Sequence, residues 1–233
     1  MDGNPPGLFV TGTDTGVGKT YVAALIAQSL LQAGCRVGVY KPVASGCTLL
    51  PPYVGPHSPD ALALWEAAGR PGELHEVCPQ RFLAPLAPHL AAKAEERIVD
   101  RDLLRQGLQY WQQRSEIVVV EGAGGLMSPI SDDDYVADLA CEFGYPLVVV
   151  APNRVGVINQ TLQTLLAAQT FRIGIPLAGI VLNDNCLDDD DPSRESNAAE
   201  LTRHCRAPLL ARVAYQATNF AEPCDWQSIA NAR

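Results

Sequence analysis

The sequence predicts an α/β chain built on a mostly parallel sheet of about seven strands with helices on both faces. Three observations lead there. First, Leu8–Thr20 reads LFVTGTDTGVGKT, an apolar strand, a turn rich in Gly and Thr, then Lys-Thr opening a helix. Second, the helical stretch Tyr21–Ala33 is followed by a short strand, Arg36–Tyr40, and strand, helix and strand in succession make a right-handed βαβ unit. Third, further short apolar runs at Ile117–Val120, Leu147–Ala151 and Leu177–Leu182 alternate with helical periodicities, as strands buried on both faces do.

In order along the chain, helix one places Val22, Leu25, Ile26 and Leu30 near helical spacing and stops at Gly34, a C-cap residue. Arg36–Tyr40 leads into Lys41-Pro42-Val43. Ala44–Pro59, with Ser45, Gly46 and several prolines, is loop chemistry of the kind that touches substrate. Ser58 is the N-cap and Gly69 the stop of a short helix whose first turn holds Asp60. Glu76–Leu83 is expected to form a strand, and Pro85–His89 a rigid loop entering a helix. The helix Arg101–Arg114 packs through Leu103, Leu104, Leu108 and Trp111. Ile117–Val120 ends in Glu121-Gly122-Ala123-Gly124-Gly125, small residues that let backbone approach a ligand closely. Tyr135–Phe143 is helical, and Gly156–Phe171 forms a core-facing helix through Ile158, Leu162, Leu165 and Leu166. Leu177–Leu182 ends in Asn183-Asp184, the run Asp188–Asp191 is a solvated loop capping a helix over Glu195–Cys205, and Pro208–Val213 supplies the last strand.

A length of 233 residues fits one domain with a full core, read as 1–233. No apolar run approaches the roughly 20 residues needed to cross a bilayer, so no membrane partner is expected. Seven cysteines, odd in number and without a C-x-x-C pair, imply reduced thiols and a cytoplasmic location, and no zinc-site spacing is present. A net charge of −9 with no basic stripe argues against nucleic acid. ATP is also an anion, but a local cradle holds it against the global sign.

That cradle is the Leu8–Thr20 turn. Backbone N–H groups converge on anionic oxygens there, and the helix behind adds its positive end. Gly18, Lys19 and Thr20 match the phosphate-loop pattern, in which Lys meets the β/γ-phosphates and the hydroxyl meets Mg²⁺. Thr13 stands in the first-Gly place and Gly12 one residue early. The fold class is therefore phosphate-loop NTPase-like. Ligands of such sheets sit at the carboxyl ends of the strands, which puts Lys41 beside the phosphates. Lys41 is expected to face the crevice and not the core, so that Lys41→Ala spares the fold. Asp60 is open to two readings, a first-turn carboxylate favoured locally or a metal ligand. Glu121 likewise either starts a turn or holds Mg²⁺ opposite the phosphate loop.

Taken in order, GTDTGVGKT, YKPVASG, SPDAL, EGAGGLMSPIS and LND resemble the dethiobiotin synthetase family along nearly the whole chain. The family closes the ureido ring of dethiobiotin in biotin synthesis from 7,8-diaminononanoate, CO₂ and ATP with Mg²⁺. The resemblance implies that Lys19, Lys41 and Thr15 serve catalysis, that Lys41 and Ser45 meet the substrate carbamate, and that Thr20, Asp60 and Glu121 hold the metal. On the nucleotide side it implies Gly16, Val17, Gly18, Lys19, Thr20, Tyr21, Asp60, Glu121, Gly122, Ala123, Gly124, Asn183 and Asp184. Asn183 reads the adenine, and Val213, Ala214, Tyr215 and Asn219 form a second adenine-side loop. It further implies a homodimer with shared sites, in which the helix starting near Gly156 comes from the partner and brings Asn159 to the substrate.

The chain departs from that pattern in places. Gly16 stands where some members carry Glu, Ala214 replaces a common Pro, and the Pro-rich segment between Gly46 and Asp60 aligns with nothing in the family. A partitioning or septum-positioning ATPase of the same fold is the rival reading. Such proteins carry a Lys early in the loop, where this chain has Thr13 and Asp14. A synthetase fragment feeding an amidotransferase domain is a second rival, and 233 residues leave no room for that domain.

Overall fold

β1 (Gly7–Gly12) is buried along its whole length and lies in the middle of a six-stranded parallel sheet. The structure is a computed structural model that describes residues 4–49, 55–186 and 190–232. After the cradle, α1 (Lys19–Gln32) ends where Gly34 takes a φ of +88° and returns its N–H to the Leu31 carbonyl. β2 (Val37–Tyr40) follows, then two short paired segments, β3 (Val43–Ala44) and the hairpin ends β4 (Thr48–Leu49) and β5 (Pro56–His57). Part of the Ala44–Pro59 loop, residues 50–54, lies outside the described residues.

α2 (Pro59–Ala67) starts as expected, with the Ser58 hydroxyl accepting the Ala61 N–H at 3.2 Å. Next come α3 (Leu74–Val77), β6 (Gln80–Arg81), α4 (Pro88–Ala94) and α5 (Arg101–Gln112). The strand expected over Glu76–Leu83 is not formed: α3 takes its start, and only Gln80 and Arg81 pair, with β3. Pro79 inside the stretch removes a ladder donor, and the Val77 carbonyl is already taken by the Lys41 N–H at 2.7 Å. The main sheet therefore has six strands where about seven were expected.

The second half runs β7 (Ile117–Glu121), α6 (Val136–Phe143), β8 (Leu147–Pro152), α7 (Val157–Thr170), β9 (Leu177–Asn183), α8 (Ser193–His204), β10 (Leu209–Val213) and α9 (Trp226–Asn231). Of the acidic run 188–191, Asp188 and Asp189 lie outside the described residues. Asp191 accepts N–H groups from Ser193, at the start of α8, and from Val155. α9, with Trp226 buried, was not anticipated from the sequence. Among the described residues no helix is long and apolar enough to cross a membrane.

The strand order is β10-β9-β8-β1-β7-β2, every neighbour parallel. Register decides what meets at the carboxyl edge. Glu121 ends β7 opposite Val10 of β1, while Tyr40 of β2 lies opposite Val120. Lys41, one residue past Tyr40, is thereby brought level with Glu121. The strands between the helical layers are apolar along most of their length and carry their polar residues toward the carboxyl ends, so the edge where the cradle, Lys41 and Glu121 gather is a polar rim on a dry core.

Candidate active site

Gly18 caps α1 with a φ of +91°, a conformation that a side chain strains. A Cβ there would also lie 2.1 Å from Asn183 Nδ2, so the cradle and the β9 terminus require glycine at this point. Asn183 donates from Nδ2 to the Val17 carbonyl at 2.9 Å and Asn185 donates to the Gly16 carbonyl at 3.1 Å. Their side-chain oxygens, Asn183 Oδ1 and Asn185 Oδ1, are buried without a hydrogen-bond partner, acceptors of the kind an amino group fits.

A cleft of about 410 Å³ opens at the strand ends. Thr15, Gly16, Gly18, Lys19, Thr20, Tyr21, Lys41, Ser45, Asp60, Glu121, Ala123 and Gly124 all line it, along with Ala44, which the sequence did not single out. Lys19 folds back so that its ammonium donates to the Asp14 carbonyl at 2.8 Å. Burial, with the neighbouring Lys41 adding to it, holds the Lys19 pKa below the ordinary lysine value despite the carboxylates nearby.

Lys41 lines the cleft, as expected of a crevice-facing side chain, but it does so from a buried position. It is buried, with 4% of its side chain exposed, and its ammonium lies 2.7 Å from Glu121 Oε1 and 3.0 Å from Asp60 Oδ2. Burial alone lowers an ammonium's pKa, but Glu121 and Asp60 outweigh it and hold Lys41 above the usual lysine range. Glu121 is fully buried; its Oε1 also accepts the Thr20 hydroxyl at 2.8 Å, and its Oε2 has no partner. Thr20, Asp60 and Glu121 thus converge on one place although 101 residues separate the first from the last.

These donors fit Mg²⁺. They are a hydroxyl and carboxylates, one oxygen is orphaned in a buried position, and a phosphate cradle is adjacent. No cluster of three or more His, Cys, Asp or Glu is arranged as a metal site among the described residues. Mg²⁺ takes one or two carboxylates and completes its shell from phosphates and water.

The other sequence-named residues lie outside the cleft wall. Val17 and Gly122 are buried backing, and a Cβ on Gly122 would lie 2.6 Å from Val136 Cγ1. The Asp184 carboxylate is engaged by Asn153 at 2.6 Å and by Arg194 and Arg212, both at 3.2 Å. Val213 ends β10, and Ala214, Tyr215 and Asn219 are exposed beyond it. Asn159 is exposed on the first turn of α7, whose N-cap is Gly156 with no side-chain cap bond, so Asn159 does not cap its own helix. Sequence reasoning missed Asn185 and the backbone role of Asp14; the only signal was the repeated Asn in NDN and a Lys five residues past Asp14.

Residues 6–220 match a family described as AAA domain. Among solved structures, a putative plasmid partition protein of Borrelia burgdorferi bound to AMPPNP shares the fold, with a TM-score of 0.57 and 12% identity over 98% of this chain and 96% of that one. The ATP-dependent dethiobiotin synthetase BioD of Rhodopirellula baltica is 47% identical, over 88% of this chain and 82% of its own. That of Bacillus subtilis is 35% identical, over 88% and 85%. Identity at this level, over this share of both chains, shows that the chain belongs to the dethiobiotin synthetase family.

Proposed function

We propose that this chain closes the ureido ring of dethiobiotin from 7,8-diaminononanoate, CO₂ and ATP, with Mg²⁺, in the cytoplasm. The observation that carries the reading is the buried Lys41 between Glu121 and Asp60, in the same cleft as Lys19 and Thr20. A phosphate cradle alone fits any nucleotide enzyme of the fold. A second, buried lysine beside the metal-binding oxygens suits transfer of a phosphoryl group onto another anion.

The chemistry needs such an arrangement. One amine of the diamine captures CO₂ as a carbamate, whose delocalised charge and poor leaving oxygen make it a weak electrophile. Transfer of the γ-phosphoryl group of ATP to a carbamate oxygen gives a mixed anhydride. The second amine attacks its carbon, the C–O bond breaks, phosphate leaves and the five-membered ring closes. Charge spreads over the moving group's oxygens, so catalysis is mainly positioning and neutralisation. Lys19 holds the β/γ-phosphates, and Lys41 with Ser45 receives the carbamate, with Thr15 close by. Thr20, Asp60 and Glu121 hold Mg²⁺, which when bound neutralises phosphate charge. The Lys41 ammonium has a third N–H beyond those directed at Glu121 and Asp60, and it would offer this to the carbamate while Thr20, Asp60 and Glu121 would hold the metal.

On the nucleotide side, Asn183 reads the adenine through its free Oδ1. The active form is a homodimer with shared sites. Supporting this, α7 exposes Leu162 and Leu166, one turn apart and expected from the sequence to face the core, and a groove of about 470 Å³ between α7 and Gly125–Pro129 runs past Thr13 and Asp14 of the cradle. A partner's α7 start, with Asn159 and free N–H groups, suits the distal carboxylate of the substrate. Phosphate release from ATP and Mg²⁺ with bicarbonate should require the diamine. Equal turnover without diamine would sink the reading in favour of a nucleotide-switch ATPase.

A further inference from the structure

We propose that Tyr21 is a positioning residue that fastens the Ala214–Asn219 loop to α1, and so sets how tightly the base of the nucleotide is held. The proposal deepens the nucleotide reading above and rests on it.

Tyr21 sits in the first turn of α1, directly after the Lys19-Thr20 pair, and its side chain lines the cleft. Its hydroxyl donates to the Ala217 carbonyl, 196 residues away in sequence. The loop it reaches is otherwise lightly held. At its start, Val213 is anchored by the Asp184 N–H at 2.8 Å. At its end, Phe220 packs on the buried Trp226, with ring centroids 5.1 Å apart. Between those anchors, the turn closes on itself through Ala217 N–H to the Ala214 carbonyl at 3.1 Å, and Gln216 takes a φ of +56°, unusual for a side-chain-bearing residue. Among the described residues, the Tyr21 phenol is the only hydrogen-bonding group from elsewhere that reaches residues 214–219.

Two features make that bond functional as well as structural. The loop leaves the sheet next to Asn183, because Val213 and Asn183 are register partners in β10 and β9. Asn183 and Asn185 carry the orphaned buried acceptors described above and are bonded to the cradle at Val17 and Gly16. A base directed at those acceptors lies between α1 and the loop. Ala214 also gives the loop no proline stiffness of its own, so the clamp must come from outside it. The tyrosine ties the base side to the same helix turn that holds the phosphates, without contributing a group to the phosphate cradle.

The test is Tyr21→Phe, which keeps the ring and removes only the hydroxyl. Binding of ATP and of inorganic tripolyphosphate is measured by calorimetry for the wild type and the variant, with hydrogen exchange of the Tyr215–Asn219 amides as a second readout. Loss of one hydrogen bond predicts ATP binding weaker by about two- to ten-fold. Tripolyphosphate binding and the melting temperature should be unchanged, and exchange in the loop should be faster. If both ligands weaken equally, or neither does, the proposal is overturned. Wild-type protein that binds tripolyphosphate as well as ATP also overturns it, since no base is then being held, while the phosphate cradle stands. Wild-type protein that binds neither ligand overturns the nucleotide reading itself, and this proposal with it.

Discussion

Lys41→Met is expected to cost the protein both its turnover and a measurable share of its stability. Among the described residues the ammonium is the only cation in direct contact with Glu121, a fully buried carboxylate that also accepts the Thr20 hydroxyl. Met fills the space of the stem and leaves that carboxylate uncompensated. Breaking a buried pair from one side costs about 3–5 kcal/mol. For a chain of this size that lowers Tm by roughly 6–20 °C.

The pH dependence has a definite sign. In the wild type, Lys41 is held above its ordinary value, so its contribution is fully present below about pH 10 and is lost only above that. In the variant that contribution is absent, so the deficit against wild type is present at about pH 5 and about pH 8 alike and shrinks only above about pH 10. Mg²⁺ without nucleotide should recover more Tm in the variant than in the wild type, because no ammonium competes for the carboxylates. Thermal melts at the two pH values, with and without the metal, are the assay. A loss below about 1 kcal/mol at both would refute the view of Lys41 as the counter-ion of Glu121.

Asp60→Asn, at a side chain 48% exposed, should lower stability by less than about 1 kcal/mol while raising the Mg²⁺ requirement for phosphate release steeply; an unchanged metal titration would reduce Asp60 to a helix-start charge. Asp134 is buried, and although burial opposes its ionisation, Arg101, Arg105 and Ser131 hold its pKa well below the usual carboxylate range. A depressed pKa gives stability that is present above about pH 4 and lost on acidification. Asp134→Asn should therefore flatten the acid limb of a pH–melting profile, and an unchanged limb would assign acid sensitivity elsewhere. Lys19→Ala and Asn159→Ala chains, each inactive alone, should regain about a quarter of sites when mixed and exchanged at random, since one site of each mixed dimer carries neither lesion; no recovery despite proven exchange would confine the site to one chain.

Local rules read well where the determinants are local. The cradle, the Ser58 cap, the Gly34 stop and the apolar runs of β7, β8 and β9 each follow from residues a few positions apart. The same rules failed at Glu76–Leu83. Hydrophobic character there serves the packing of Val77 and Cys78 against the core, while Pro79 and the Lys41 N–H prevent a ladder from forming. α9 was missed for a related reason: six residues give too little periodicity, and what places it is Trp226 against Phe220.

The site shows a sharper limit. Motifs supply the list of Lys19, Thr20, Lys41, Asp60 and Glu121, but not the state of their charges, because that depends on register. Tyr40 pairing with Val120 sets Lys41 level with Glu121 across a single strand spacing, and Val10 pairing with Glu121 puts both beside β1 and its cradle. A slip of one residue in the β2–β7 pairing would reverse the faces of β2 and break the contact. The resemblance implies that Lys41 meets the substrate carbamate. The structure has its ammonium on Glu121 and Asp60, in a place where an unpaired Glu121 costs several kcal/mol, on the order of a third or more of a typical domain's stability. On the proposed roles, one ammonium faces both the carboxylates assigned to the metal and the substrate carbamate, so metal binding and carbamate binding are expected to be thermodynamically coupled. Such coupling is reciprocal, so a carbamate analogue that engages Lys41 must change Mg²⁺ affinity by the same factor by which Mg²⁺ changes the analogue's. Calorimetric titrations of the analogue with and without Mg²⁺, in the wild type and in Lys41→Met, measure that factor, and a factor unchanged in the variant would mean that some group other than Lys41 links the sites.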